Sequence, residues 1–358
     1  MDQAGPQILP AESSGSKYQV GIIGNNYGYR ELLPVLESFE NVKTTFIVQS
    51  KSKTSKNISV NKNMVTKDLS TALIDEKLQL IFLAVPPSEQ FSVSRLILES
   101  KKDLYCEKPV GVNFAQTDSL DKISKKNKNK VFVGFQFRFD PGIYMLKELI
   151  KLNLLGNISN ILVNWHTSGE SAMGDKGNWR NNIFLGGGVH RDFLCHVVDY
   201  VKWICGDSIL SSLRNLSINS KSESNLRNLY LYSDDISSPS MQINLSRGNV
   251  SKSYWEVSIS SEIGEFNLSS SYPFTLGSYR ITYTGTKDYC KNIKEFTNSN
   301  DYLMERFENK SARRFALEGY FKKLILNVFE DRSSVLPGLE DAKFTQRISD
   351  NIQNQIRY

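Results

Sequence analysis

Short, unbroken apolar runs alternate with longer mixed segments along the first third of the chain. The runs fall at residues 18–23, 44–48, 80–85, 104–106 and 131–135. The segments between them are long enough for helices, and residues 32–39 have helical apolar spacing. Continuously apolar strands that alternate with helices are typical of a parallel sheet covered on both faces. The pattern therefore predicts a doubly wound α/β domain of the Rossmann type at the start of the chain.

From residue 157 onward the pattern changes to strands in which apolar and polar positions alternate. These strands are predicted at residues 158–165, 210–218, 228–233, 241–246, 255–260, 264–268 and 279–283. Turn residues separate them, which is typical of a mostly antiparallel sheet. Further helices are predicted at residues 140–155, 189–205, 312–329 and 338–356. We therefore expect an α+β domain with an open, mostly antiparallel sheet after the Rossmann domain.

The predicted elements divide the chain into four segments. Residues 1–16 contain two prolines and a Ser-Ser-Gly-Ser run and are expected to form a flexible leader. Residues 17–136 are expected to form the Rossmann-type domain, and residues 137–340 are expected to form the α+β domain. Residues 341–358 end the chain as a helix that we expect to pack back on the first domain.

Composition narrows the class of protein. The chain has 358 residues, 40% of them hydrophobic, and its 44 basic and 38 acidic residues are interspersed. No basic block suggests a nucleic-acid partner, and no apolar stretch is long enough to cross a membrane. The four cysteines form no Cys-x-x-Cys pair, and the N-terminus lacks an export pattern. A cytoplasmic protein with a small-molecule partner fits these features.

A glycine turn follows the first predicted strand and contains Gly24, Asn26, Tyr27 and Gly28. A dinucleotide fold needs glycine there because the backbone turns sharply and approaches a pyrophosphate at the start of a helix. Asn26 stands where the second glycine is usual, and asparagine tolerates a left-handed backbone. A glycine turn in an α/β protein of another kind would have the same appearance, so the motif alone leaves both interpretations open.

The second predicted strand is followed by Ser50 and Lys51 rather than by an acidic residue. A carboxylate at this place usually holds the ribose hydroxyls of NAD. A hydroxyl followed by lysines suits a 2′-phosphate better, so NADP is favoured over NAD as the cofactor. The alternative is an ordinary lysine-rich loop.

The ends of the next two strands carry two proline motifs. Ala84, Pro86 and Pro87 follow one strand, and Glu107 and Lys108 precede a proline after the next. Ligands bind at the carboxyl ends of strands in an open α/β sheet. The ammonium of the lysine could hydrogen-bond a reacting oxygen, and burial or neighbouring positive charge could lower its pKa toward the working range. A surface lysine without a role is the alternative.

A glycine triplet at residues 186–188 opens the predicted helix at 189–205. Within it, Asp192, His196 and Asp199 are spaced i, i+4 and i+7, so they fall on one helical stripe that could face a substrate. His190 lies on a different face, so no metal site is predicted. A histidine tied to a carboxylate for packing alone is the other interpretation.

Taken together, these motifs resemble the Gfo/Idh/MocA family, which includes glucose-fructose oxidoreductase and inositol dehydrogenase. The matching landmarks are the turn at 24–28, Leu33-Pro34, Ala84-Val-Pro-Pro87, Glu107-Lys108-Pro109, Phe137-Arg138-Phe139-Asp140-Pro141, Trp179-Arg180, Gly186-Gly-Gly with Asp192, His196 and Asp199, and Pro337-Gly-Leu-Glu-Asp341. They occur in the family's order across nearly the whole chain.

The resemblance implies an NAD(P)-dependent oxidoreductase acting on a hydroxyl or carbonyl carbon of a sugar, nucleotide-sugar or cyclitol. It implies that Lys108 binds the reacting oxygen and assists proton transfer, that His196 acts as acid or base or holds the adjacent hydroxyl, and that Asp192 orients the substrate. Arg138, Trp179 and Arg180 would also bind substrate, and a homodimer or homotetramer would form through the antiparallel sheet. A non-catalytic dinucleotide-binding protein and a reductase of a non-sugar carbonyl are the alternatives. Asn26, Leu32 and Gln90 depart from the family pattern. Asn26 replaces a glycine, the family often has histidine at the other two positions, and the changes at Leu32 and Gln90 are expected to alter only local contacts.

Overall fold

The computed structural model describes residues 18–48, 66–168, 179–206, 215–217, 225–232, 239–248, 252–270, 279–299 and 312–356. Three predictions concern residues outside these ranges: the leader at 1–16, the cofactor contacts of Ser50 and Lys51, and most of the strand at 210–218.

Parallel strands form the first sheet in the described part of the chain. Their bounds are β1 (Tyr18–Ile23), β2 (Val42–Val48), β3 (Thr66–Asp68), β4 (Leu80–Leu83), β5 (Asp103–Cys106) and β6 (Val131–Val133). The order across the sheet is β3-β2-β1-β4-β5-β6, and all neighbours are parallel. The strand order reverses between β1 and β4, which is the position where such sheets open a ligand crevice. The apolar runs predicted five of these strands, whereas the short, polar β3 gave no apolar signal.

Helices cover both faces of this sheet and continue into the second half of the chain. Their bounds are α1 (Leu33–Leu36), α2 (Leu69–Ile74), α3 (Pro87–Glu99), α4 (Phe114–Asn127), α5 (Pro141–Lys151), α6 (Val189–Asp192), α7 (Leu194–Cys205), α8 (Lys287–Ser299), α9 (Ala312–Phe329) and α10 (Leu339–Ile356). A π-helical turn at Gly28–Leu32 precedes α1. Helix α5 begins as the sequence predicts, because the Asp140 side chain accepts a hydrogen bond from the Ile143 backbone nitrogen.

The second sheet is mixed, with mostly antiparallel pairs. Its strands are β7 (Ile158–Thr167), β8 (Asn215–Ser217), β9 (Asn225–Tyr232), β10 (Ser240–Arg247), β11 (Tyr254–Ser261), β12 (Gly264–Ser270) and β13 (Arg280–Gly285). The order is β13-β12-β11-β7-β10-β9-β8, and β7 with β10 is a parallel pair among antiparallel ones. Alternate β7 residues such as Ile161, Val163 and Trp165 are buried against helices α5 and α7. This architecture confirms the predicted fold class.

Two C-terminal helices tie the halves of the molecule together. Helix α9 lies within the segment assigned to the second domain, yet its Leu317, Tyr320 and Phe321 pack in the core of the first sheet with Val20 and Ile22. Helix α10 packs against α4 of the first half and against α6 and α7 of the second. Residue spacing predicted both helices, but their apolar faces do not reveal which sheet they cover.

The helix predicted at 189–205 is divided into α6 and α7. Phe193 lies between them with φ −104° and ψ −46°, and its ring stacks on Trp165 with centroids 4.4 Å apart. Phe193 itself has right-handed helical angles. The single helical stripe predicted for Asp192, His196 and Asp199 therefore stays a prediction.

Candidate functional site

The glycine turn lies where β1 meets β4, at the reversal of strand order. Gly24 has a φ of +135°, and a Cβ there would lie 2.3 Å from the carbonyl oxygen of Ala84. Only glycine therefore permits this close approach of the two strand ends. Asn26 is exposed, its carbonyl accepts from the Arg30 backbone nitrogen at 2.9 Å, and its φ is not positive. The substitution at this position is therefore accommodated without the left-handed conformation expected for asparagine.

The Glu-Lys-Pro turn after β5 is held by a residue that the sequence did not assign to the site. The Gln90 amide, on α3, donates to the carbonyl oxygens of Glu107 and Pro109. Glu107 accepts a hydrogen bond from the Tyr105 hydroxyl at 2.7 Å. Gln90 is fully buried, so these bonds fix the backbone on both sides of Lys108. Its position one helical turn after Pro86-Pro87 was the available signal.

Lys108 and Asp192, from opposite halves of the chain, form a buried ion pair. The Lys108 ammonium lies 2.9 Å from Asp192 Oδ1 and 2.8 Å from the Asp192 carbonyl oxygen. Burial works against the charged lysine, but Asp192 outweighs it, so the pKa of Lys108 is raised above its ordinary value. The sequence-based prediction of a lowered pKa is wrong, because it did not include a carboxylate partner 84 residues away.

Two arginines occupy the other oxygen of Asp192. Arg180 Nε and Arg247 Nη1 each lie 3.3 Å from Asp192 Oδ2. Arg247 is at the end of β10 and was not singled out from the sequence, because one arginine ending an alternating strand has no distinctive pattern. Although burial opposes ionisation, Lys108, Arg180 and Arg247 together hold the pKa of Asp192 well below its usual range.

His196 lies in an aromatic environment on α7. Its ring centroid is 4.5 Å from that of Phe137, and Phe135 and Trp165 are further ring neighbours. Burial, assisted by the charge of Lys108, lowers the pKa of His196 well below its ordinary value. Its Nδ1 has no hydrogen-bond partner among the described residues. His196 is therefore a neutral imidazole beside the Lys108–Asp192 pair.

Arg138 is not placed with these residues. It is buried in an ion-pair cluster, with Nε 2.9 Å from Asp199 Oδ2 and Nη2 2.8 Å from Asp341 Oδ1. Burial raises the pKa of Asp199 to about 6, with Arg138 acting in the opposite direction. This cluster joins α7 to α10. Because Nε and Nη2 of Arg138 already bind carboxylates of the protein, its predicted substrate contact finds no support here and stays a prediction.

The glycine triplet brings the two halves of the site into contact. A Cβ on Gly186 would lie 2.5 Å from Pro87 Cβ, and one on Gly187 would lie 2.2 Å from the Trp179 carbonyl oxygen. The Gly188 nitrogen donates to the Arg180 carbonyl at 2.9 Å, and the Arg180 guanidinium lies 4.6 Å from the Trp179 ring centre. The triplet thus places the Trp-Arg turn next to the strand ends of the first sheet.

No set of three His, Cys, Asp or Glu side chains within the described ranges could hold a metal ion. The search for a membrane-spanning helix over the same residues also found none.

These elements define a class: a Rossmann domain joined to a mixed sheet, with a buried ion pair, Lys108 with Asp192, between them. Two family models match, an oxidoreductase family with an NAD-binding Rossmann fold over residues 18–135 and the GFO/IDH/MocA C-terminal domain over residues 143–222. The chain belongs to the Gfo/Idh/MocA oxidoreductase family. The predicted family, oxidoreductase class and nicotinamide cofactor are thereby confirmed at the level of the family.

The curated relatives share little sequence identity with this chain. An uncharacterized oxidoreductase from Synechocystis sp. is 23% identical over 56% of this chain and 54% of its own length. Myo-inositol 2-dehydrogenase from Thermotoga maritima is 29% identical over 31% of each chain. These alignments therefore span between about a third and about a half of the relatives' lengths.

Solved structures match the whole fold at lower identity. The WlbA dehydrogenase from Bordetella pertussis, in complex with NADH and UDP-GlcNAcA, has a TM-score of 0.73 at 14% identity, with 97% of both chains covered. KijD10, a 3-ketoreductase from Actinomadura kijaniata in complex with NADP and TDP-benzene, has a TM-score of 0.69 at 12% identity, covering 95% of this chain and 98% of that one.

Proposed function

We propose that the chain is an NAD(P)-dependent oxidoreductase that interconverts a hydroxyl and a carbonyl group on a sugar, nucleotide-sugar or cyclitol. The observation that carries the proposal is the meeting of Lys108 and Asp192 from the two halves of the chain, with His196 beside them. The named relatives and structural neighbours include enzymes for inositol and proteins that bind nucleotide-linked ligands. They support this substrate class over a non-sugar carbonyl.

The residues at the strand ends fit a nicotinamide dinucleotide. Gly24 leaves the end of β1 without a side chain, and the helical turn from Gly28 begins directly after it, as a pyrophosphate site requires. The other candidate cofactor contacts also follow strand ends: Tyr27 follows β1, Ala84, Pro86 and Pro87 follow β4, and Glu107 follows β5. When bound, the nicotinamide ring supplies the hydride donor or acceptor.

Lys108 is suited to bind the reacting oxygen as a cation. An ammonium has three N–H donors. Asp192 accepts from Lys108 twice, which leaves one donor for a substrate oxygen. Because its pKa is raised, Lys108 stays positively charged near neutral pH and stabilises negative charge on that oxygen.

His196 is suited to carry the proton. Its neutral ring has an Nδ1 without a partner among the residues that the structure describes, so it can accept a proton from a hydroxyl or return one to a carbonyl oxygen through a short contact. Asp192 then orients Lys108 rather than the substrate, because its carboxylate is already occupied by three cations.

Fluorescence titration with NADPH and NADH, followed by a turnover screen of sugars, sugar nucleotides, cyclitols and polycyclic carbonyl compounds, tests the proposal. We expect Lys108→Ala to lower kcat by about 10² to 10⁴, the range for a group assisting proton transfer, with cofactor affinity nearly unchanged. Lys122→Ala is the matched control, because that side chain is 76% exposed on α4. Binding of neither dinucleotide would contradict the oxidoreductase proposal, and unaltered turnover in Lys108→Ala would remove the lysine from the mechanism.

The preference for NADP is proposed separately. It depends on Ser50 and Lys51, where the sequence offers a hydroxyl and a cation instead of a carboxylate. Lys51→Ala is expected to weaken NADPH binding more than NADH binding, because only NADPH has a 2′-phosphate. Equal weakening of the two cofactors would contradict a phosphate contact.

A further inference from the structure

Helix α9 runs antiparallel to the strands of the first sheet. Near the end of the helix, Phe329 stacks on Tyr18, the first residue of β1, with ring centroids 4.4 Å apart. Nine residues earlier, the Tyr320 hydroxyl donates to the carbonyl of Val133, the last residue of β6, at 2.7 Å. The first turns of α9 therefore lie toward the carboxyl ends of the strands, where an open α/β sheet binds its ligands.

Arg313 lies in the first turn of this helix, on the face that packs against the sheet. It precedes Ala316, Leu317 and Tyr320 by three, four and seven residues, and all three are buried. Leu317 belongs to the core cluster against which Tyr27 of the glycine turn packs. Seven residues of helix span about 10 Å, so Arg313 lies beyond Tyr320 in the direction of the ligand edge. Its own side chain is partly exposed.

The positive charge of Arg313 acts on side chains from three different elements of the site. Burial raises the pKa of Tyr27 and of Glu107, and Arg313 is among the groups that oppose both shifts. Burial lowers the pKa of His196, and Arg313 acts in the same direction. These groups belong to the glycine turn, to the turn that carries Lys108, and to α7. The guanidinium is therefore near all three, between the glycine turn and the candidate proton-transfer group.

Donors at this position are not all used by the protein. Glu107 accepts from the Tyr105 hydroxyl at 2.7 Å, and the described structure shows no direct ion pair between Glu107 and Arg313. The Tyr27 hydroxyl is buried and has no partner among the described residues. A buried donor without an acceptor is unfavourable, and a guanidinium has five N–H donors. The position is therefore suited to oxygen atoms of a ligand.

We propose that Arg313 binds the pyrophosphate of the nicotinamide cofactor, as a cation that the C-terminal half of the chain adds to the dinucleotide site. A dinucleotide that extends from the glycine turn to Lys108 would pass this position. The pyrophosphate is the charged group that NAD and NADP share in that part of the molecule, and a guanidinium fork pairs with two phosphate oxygens. The inference rests on the proposed function and adds a cofactor-binding residue to it.

Calorimetric titration with two matched ligand pairs tests the inference without a substrate. The pairs are NADH with ADP-ribose and NADPH with 2′-phospho-ADP-ribose, and the second member of each keeps the pyrophosphate but lacks the nicotinamide. Arg313→Gln is expected to weaken binding of all four ligands by roughly ten- to a hundredfold, the usual effect of losing charge-assisted hydrogen bonds. Arg313→Lys is expected to weaken them less, because it keeps the charge but loses the fork.

Arg314→Gln is the matched control. Arg314 is the next residue of α9, its side chain is 46% exposed, and its Nε lies 3.5 Å from Glu318. We expect this variant to bind all four ligands as the wild type does, and an equal loss of affinity would contradict a specific contact of Arg313. Urea unfolding reports the folding of every variant. If Arg313→Gln fails to fold, the smaller loss expected in Arg313→Lys remains the test.

Unchanged affinity in both Arg313 variants would overturn the pyrophosphate contact, and a loss of stability alone would assign Arg313 to balancing Glu107. Weakening confined to NADH and NADPH would also overturn it, because the guanidinium would then contact the nicotinamide. The same holds if the wild type binds the dinucleotides but neither shortened ligand. In each of these cases dinucleotide binding by the wild type leaves the proposed function standing, whereas a wild type that binds no dinucleotide would remove the proposed function itself.

Discussion

At the scale of single residues, protonation states decide which chemistry is available. The structure gives Lys108 and His196 opposite shifts: the lysine is held as a cation by Asp192, and the histidine is held neutral by burial and by that same cation. Pairs of titratable groups whose environments push their pKa values apart are typical of acid-base sites. These shifts support the proposed roles, in which Lys108 binds and stabilises the oxygen and His196 exchanges the proton.

These shifts predict a flat pH profile. The pKa of His196 lies well below 6.5 and that of Lys108 above 10.5, so neither group changes charge near neutrality. With a substrate from the turnover screen, kcat/KM is expected to vary by no more than about twofold between pH 7 and pH 9, because it reports the titration of the free enzyme. A profile with a midpoint inside that range would show that one of the two groups titrates normally.

Gln90 illustrates a residue whose role depends on backbone partners. At this position the sequence has an amide where the family often has histidine. The sequence predicted that this change alters only local contacts. The structure confirms that its contacts are local, but they are to the carbonyls on either side of Lys108. Gln90 is therefore a positioning residue for the lysine.

At the scale of elements, the glycine triplet controls how the second half of the chain approaches the first. Gly186 and Gly206 both have a positive φ, at +88° and +84°. They differ in their surroundings: a Cβ on Gly186 would collide with Pro87, whereas nothing lies within 4 Å of one on Gly206. Alanine substitutions at the two glycines therefore distinguish the cost of backbone strain alone from the cost of strain with a steric clash.

Gly206→Ala is expected to cost about 1 kcal/mol of folding free energy, the usual penalty for a left-handed alanine. Gly186→Ala is expected to cost about 1–3 kcal/mol more, because Pro87 must also move, and to reduce turnover by displacing the segment that leads to Asp192. Urea unfolding and steady-state kinetics on the two variants provide the comparison. Equal losses of stability would mean that the contact between Gly186 and Pro87 is easily relieved.

At the scale of the whole molecule, the C-terminal helix α10 is a structural bridge. Its Asp350 accepts from the Phe114 backbone nitrogen at 2.7 Å and pairs with Arg191 at 3.1 Å, and its Asp341 pairs with Arg138. Ser349 donates to the carbonyl of His190 at 3.0 Å. The helix thus contacts elements of both halves, beyond the first-domain contact expected from the sequence. The four-segment division of the chain stays a prediction.

Buried titratable groups predict how the stability of the whole molecule responds to acid. Burial lowers the pKa of His190 to about 4 from its ordinary 6.5. The unfolded chain therefore binds the proton more tightly, and the free energy of unfolding falls as the pH drops from 6.5 to 4. Burial raises the pKa of Asp140 and Asp199 to about 6, and these two groups act in the opposite direction as the pH falls below 6.

His190→Gln removes the first effect and keeps the second. Compared with the wild type, the variant is expected to lose less stability between pH 7 and pH 4, by on the order of 3 kcal/mol, since one pKa unit corresponds to about 1.4 kcal/mol. Urea unfolding at the two pH values measures the difference. An identical loss in both proteins would show that His190 titrates normally in the folded state.

The outer face of the second sheet bears on the predicted homodimer or homotetramer. It carries a polar ladder in which Asn244 donates to Asn164, and Asn164 and Asn267 donate to Glu256. This face is more polar than those that typically form obligate oligomers. The oligomeric state stays a prediction for light scattering to decide, and the polar ladder favours a wet interface over a hydrophobic one.

The sequence by itself determined the two-sheet architecture, because strands and helices bury their apolar faces with periods that can be read locally. It also singled out Gly24, Lys108, Asp192 and His196 from motifs at strand ends and along one helix, and Arg180 from the resemblance to the family. Only the tertiary structure decided what surrounds them, since charge, burial and partners depend on residues distant in the chain. It reversed the expected pKa shift of Lys108, moved Arg138 into a structural cluster, and added Gln90 and Arg247 to the site. Their positions depend on how two sheets and α10 pack together, which local periodicity does not encode.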